Sequence, residues 1–106
     1  MNISKQEAIE EIIKYFNWDR VHKAMVALDW KWATNEEYTV PTHGDLVIHA
    51  LNLLHSAYDG AMKEKTNYST GTGGFYARAF VDEETKDIYE LKLSFELCSW
   101  EHYKED

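Results

Sequence analysis

The chain has one cysteine, one proline and five glycines in 106 residues, and no apolar run long enough to span a membrane. Cys98 alone cannot build an internal disulfide, and without a Cys-x-x-Cys spacing it cannot supply a thiolate zinc site. Such usage suits a reducing compartment. Asn2, Ser4, Lys5, Gln6 and Glu7 stand where a signal peptide would carry its apolar stretch, so the sequence leads us to expect a protein of the cytoplasm, with no membrane partner. Basic residues are also scarce. Eleven Lys and Arg against nineteen Asp and Glu leave a formal charge of -8, which disfavours direct binding to nucleic-acid phosphates or anionic lipid while still permitting a local basic pocket.

What the chain does have is apolar and aromatic mass. Four Trp, seven Tyr and four Phe contribute to a 44% hydrophobic content, too rich for a disordered segment and enough for one modest core. Residues 1–106 therefore read as a single domain, without repeats or linkers.

Ser4 with Glu7 reads as a capping box, and Ile9, Ile12, Ile13 and Phe16 recur at helical spacing, predicting a helix over 4–16. A second helix starts at Asn17 or Asp19, with Val21, Ala24, Met25 and Leu28 on one stripe, and is expected to end near Leu28. From Asp29 the pattern alternates, Trp30 and Trp32 against Lys31 and Ala33, as a short strand would. Tyr38-Thr39-Val40 adds a further extended piece before Pro41, which disfavours helical geometry at Val40. Thr42 and Asp45 open a third and longest helix over 42–63, with Leu46, Ala50, Leu53, Leu54, Ala57 and Ala61 on its stripe.

Two strands close the chain. Phe75, Ala77, Ala79 and Val81 share one face, and Tyr89, Leu91, Leu93, Phe95 and Leu97 alternate with polar residues across a hairpin turn at 82–87. Matching the apolar faces pairs Phe75 with Phe95, Ala77 with Leu93, Ala79 with Leu91 and Val81 with Tyr89. The fold expected is α+β, ordered α-α-β-α-β-β, with a small antiparallel sheet packed against the long third helix.

The candidate site begins with Ser69-Thr70-Gly71-Thr72-Gly73-Gly74, which holds three of the five glycines. Glycine allows positive φ and close approach to the backbone, so this stretch could expose N–H groups to an anion, or simply turn the chain. It follows a helix and precedes a strand, so it is neither a Walker loop nor a Rossmann fingerprint. On the outward face of the next strand stand Tyr76, Arg78 and Phe80, among Glu90, Lys92 and Ser94. Trp30, Trp32, Tyr76 and Phe80 could stack on a base, with Arg78 as counter-charge to phosphate. Buried tryptophans on a sheet are the plain alternative for Trp30 and Trp32. The five histidines lack metal-site spacing, no nucleophile elbow occurs, and adjacent carboxylates such as Glu36-Glu37 point apart. No catalytic residue, metal or cofactor is therefore expected.

Trp18-Asp19-Arg20-Val21-His22-Lys23-Ala24-Met25, Leu28-Asp29-Trp30-Lys31-Trp32, Val40-Pro41-Thr42, the glycine stretch running into Phe75, and Leu93-Ser94-Phe95-Glu96-Leu97 together resemble a group of small proteins encoded by tailed phages and prophages. The resemblance covers most of 16–100; the relatives carry a shorter Ser-Thr-Gly-Gly-Phe stretch, into which Gly71-Thr72 is inserted here. It implies a role against host defence. The reading that results is a non-enzymatic binding protein that sequesters a small, phosphate-bearing, nucleotide-like ligand, with a homo-oligomer interface compatible with the site. The alternative is an acidic inhibitor that covers a host protein surface through Tyr76 and Phe80.

Overall fold

The computed structural model describes residues 1–32, 42–72 and 74–95, with residues 26–32 as backbone. Three helices precede three strands: α1 (Lys5–Tyr15), α2 (Trp18–Trp32), α3 (His43–Glu64), β1 (Tyr68–Thr72), β2 (Phe75–Val81) and β3 (Ile88–Phe95). The protein is α+β, and its antiparallel sheet, ordered β1-β2-β3, packs one face on α3.

Each helix starts at a side chain that satisfies an N–H without a partner inside the helix. Ser4 Oγ accepts from the Glu7 N–H at 3.2 Å, and Asn17 Oδ1 accepts from the Arg20 N–H at 3.0 Å. At α3 the capping box is complete: Thr42 Oγ1 accepts from the Asp45 N–H at 3.1 Å, and Asp45 Oδ2 accepts from the Thr42 N–H at 3.0 Å. The helix ends at Lys65, whose φ of 59° places it in the left-handed region.

The first correction concerns α2. Asp29 to Trp32 continue the helix instead of opening a strand. No glycine or proline interrupts the chain between Leu28 and Trp32, and two tryptophans two apart are too short an alternation to outweigh an established helix. The order among the described residues is thus α-α-α-β-β-β, and the extended piece expected at Tyr38–Val40 lies outside them. The third strand of the sheet comes instead from the glycine stretch, because Tyr68–Thr72 pairs with β2.

Side-chain period sets the core. Phe75, Ala77, Ala79 and Val81 are buried, and so are Leu46, Ala50, Leu53, Leu54, Ala57 and Ala61 on the facing stripe of α3. The alanines of β2 let the helix lie close to the sheet, while Phe75, fully buried, fills the end of the core against Phe16, Trp18, His49 and Phe95. α1 adds Ile9 and packs on α3 and β3.

The register of β2 and β3 holds as expected for Phe75 with Phe95, Ala77 with Leu93 and Ala79 with Leu91. It changes at the far end, where a bulge between Phe80 and Val81 pairs Val81 with Ile88 and leaves Tyr89 as the extra residue. Ile88 is fully buried and Tyr89 is 57% exposed, the reverse of the even alternation. Asp82 Oδ1 accepts from the Glu84 and Thr85 N–H groups and fixes the turn between the two strands. The start of the chain is tied to the bulge: the Ile3 N–H donates to the Ile88 C=O, the Tyr58 hydroxyl donates to the Ile3 C=O, and the Met1 amino group meets the Asp87 carboxylate.

Candidate functional site

The glycine stretch is a hairpin, not a loop. Thr72 pairs with Phe75, so two residues, Gly73 and Gly74, connect β1 to β2. Gly74 has a φ of 91°, a conformation that a side chain strains, and Gly73 lies outside the described residues. Strand alternation then divides the hydroxyls. Ser69 lies opposite Arg78, on the outer face, while Thr70 opposite Ala77 and Thr72 opposite Phe75 lie on the face toward α3. Ser69 is thus on the other face of the sheet from Thr70 and Thr72, and of the two readings of the stretch the pairing supports the turn. Gly71 has another reason to be glycine: a Cβ there would lie 2.6 Å from Cδ1 of Tyr76, its cross-strand partner, and 2.5 Å from the Phe75 carbonyl oxygen.

Thr72 serves the fold. His49 Nε2, on α3, lies 2.9 Å from the Thr72 carbonyl oxygen and 2.8 Å from its hydroxyl. A carbonyl can only accept, so a hydrogen bond to it requires the tautomer with the proton on Nε2. The contact ties the hairpin to the third helix; nothing in the spacing of His49 distinguished it from its neighbours.

The outer face of the sheet assembles the rest. Tyr76, Arg78 and Phe80 alternate along β2 as expected, with Tyr76 and Phe80 half-buried and Arg78 exposed. Directly opposite on β3 stand Ser94, Lys92 and Glu90. Arg78 thus faces Lys92 across the strands, a like-charge pair that is unfavourable by itself. Lys92 Nζ lies 3.8 Å from Glu90 Oε1 and 5.8 Å from the Phe80 ring centroid. Among the described residues, Arg78 makes no ion pair. Arg78, Lys92 and Ser94 also border a cavity of about 530 Å³ that reaches Ile12 and Tyr15 on α1 and Phe16 just past its end.

Trp30 and Trp32 belong to α2, not to the sheet. Positions two apart on a helix do not share a face as they do on a strand. Lys92 stands opposite Arg78 as the matched apolar faces predict, and it joins the candidate residues through that register. Elsewhere, the His22 and His43 rings meet edge-on at 4.7 Å between α2 and α3. Among the described residues no group of three or more His, Cys, Asp or Glu side chains could hold a metal ion, and no helix is long and apolar enough to cross a membrane.

No protein-family model, no curated protein and no solved structure matches the chain.

Proposed function

We propose that the protein is a non-enzymatic binding protein whose open sheet face holds a small anionic ligand bearing an aromatic ring, of nucleotide-like chemistry. The observation that carries this reading is Arg78 directly opposite Lys92, with Tyr76 and Phe80 flanking them on the same face. Two unlike demands are met there at once. A phosphate between the two cations relieves their repulsion through charge-assisted hydrogen bonds, and a base or similar ring lies against Tyr76 or Phe80. Ser69 supplies a hydroxyl at the level of the cations, and Ser94 one beside Tyr76. The resemblance to phage-encoded proteins supports sequestration of such a ligand, against a host defence that uses it as a signal.

Calorimetry with mono-, di- and cyclic nucleotides tests the reading. Binding is expected for at least one, weakened about tenfold or more by Arg78→Ala or Lys92→Ala, each of which removes a charged hydrogen-bond donor. Thr70→Ala, on the opposite face, leaves it unchanged. No binding by any nucleotide, or binding indifferent to Arg78→Ala, refutes the site.

A further inference from the structure

Among the described residues β3 is an edge of the sheet, and its outer side is open beyond the bulge. Ile88 turns its N–H and C=O away from β2, to Asn2 Oδ1 at 2.7 Å and to the Ile3 N–H at 2.9 Å. Past Tyr89 the antiparallel alternation aims the N–H and C=O of Leu91 and Leu93 the same way. No described residue bonds those groups. Beside this edge, between β3 and α1, runs a groove of about 730 Å³. Ala8, Ile12 and Leu91 give it apolar walls, Glu7, Glu11 and Glu90 stand along it, and no lysine or arginine lines it, while Arg78 and Lys92 border the adjoining cavity beside Leu93.

We propose that this groove binds an extended, basic segment of a partner protein, which joins β3 as a fourth strand. Its backbone bonds Leu91 and Leu93, its apolar side chains cover Ala8 and Ile12, and its lysines or arginines meet Glu7, Glu11 and Glu90. An open edge is a template for a further strand, and in strand addition the main-chain bonds give affinity while the groove selects side chains. Charge selects the occupant. A second copy pairing through the same edge would bring its own three carboxylates against these, whereas a basic segment is drawn to a chain of net charge -8. The proposal concerns the edge of β3 and the ligand reading its outer face, and the two adjoin at Leu91 and Leu93.

The test uses the full chain and a capped hexapeptide, Lys-Val-Lys-Val-Lys-Val, followed by fluorescence anisotropy and by amide NMR shifts. The lysine peptide is expected to bind about tenfold or more tightly than its glutamate counterpart, with shifts centred on Tyr89 to Leu93. The triple variant Glu7→Gln, Glu11→Gln, Glu90→Gln should weaken binding about tenfold, and Thr70→Ala, on β1 at the other edge, should not. A lysine peptide N-methylated on alternate residues should fail to bind, which keeps the proposal testable whether or not the triple variant folds. Equal binding of both peptides, binding of neither, or full binding of the N-methylated peptide overturns it. So does slow exchange of the Leu91 and Leu93 amides in the free protein, since the edge is then already covered, by the chain itself if the mass is monomeric or by a second copy if it is dimeric.

Discussion

The ring of Tyr68 on β1 fills the space that a side chain at Gly60 of α3 would need. A Cβ at Gly60 would lie 2.5 Å from Cδ1 and Cε1 of Tyr68. In an unconstrained helix, glycine to alanine adds about 1 kcal/mol of stability. Here the added methyl meets a ring held by the sheet, so Gly60→Ala should destabilise by about 1–3 kcal/mol, the usual range for overpacking. In a Tyr68→Ala background the same substitution should become neutral or stabilising. Urea unfolding of the four proteins reads the reversal of sign, and equal effects in both backgrounds would refute the contact.

Arg78→Glu separates a binding residue from a structural one. Opposite Lys92 it exchanges repulsion for attraction, so the free protein should become more stable by about 0.2–1 kcal/mol while losing its anionic ligand. Stability gained as binding is lost is what a site that holds two like charges for a ligand predicts. A variant less stable than the parent would instead assign Arg78 to the fold.

The elements that read clearly from the sequence are those whose side-chain period agrees with their tertiary setting. The isoleucines of α1, the leucine and alanine stripe of α3 and the alternation in β2 each have one buried face, and the structure buries that face. Three features were hidden because local pattern is degenerate. Trp30 and Trp32 fit a strand in isolation, but the helix before them lacks a stop. Tyr68–Thr72 carries no apolar alternation, since one of its faces rests on Gly60 and His49 and the other is open, so composition suggests a loop where pairing with β2 makes a strand. The bulge at Tyr89 is set by the turn before it and by the chain start at Ile88, neither of which shows as a period. The candidate site was half legible: the outward residues of β2 follow from alternation and Lys92 opposite Arg78 from the matched apolar faces, while Trp30 and Trp32 lie on a helix.

Acid should weaken the fold through four aspartates. Asp45 is held below the usual value near 3.8 by hydrogen bonds from the Thr42 backbone and side chain, and Asp82 by the Thr85 and Glu84 N–H groups. Asp19 is lowered by Lys23, and Asp87 by the Met1 amino group. A carboxyl whose folded pKa lies below its unfolded one stabilises the fold fully above the unfolded value and loses that contribution as pH falls through the folded value. The melting temperature should therefore be level on this account above about pH 5 and fall below about pH 4. Asp82→Asn keeps an oxygen for the turn but no titration, so it should shallow the acid decline without moving the neutral melting temperature by much. A decline of unchanged steepness would remove Asp82 from the explanation.

Deleting Tyr89 should be tolerated, whereas deleting Ile88 should not. Tyr89 is the extra residue of the bulge, with Val81 paired to Ile88 and Phe80 to Glu90 on either side of it. Without it the ladder becomes regular and every other side chain keeps its face, because Ile88 and Glu90 already point to opposite sides of the sheet. Without Ile88, Tyr89 must enter a slot that now holds a fully buried isoleucine, and its hydroxyl would go in without a partner there. Ile88→Ala gives the scale, with an expected cost of about 2–5 kcal/mol. Chemical denaturation should place the Tyr89 deletion well within that cost and the Ile88 deletion at or beyond it. Similar losses for the two deletions would mean that the bulge itself, through its twist of β3 toward the start of the chain, is required for the fold.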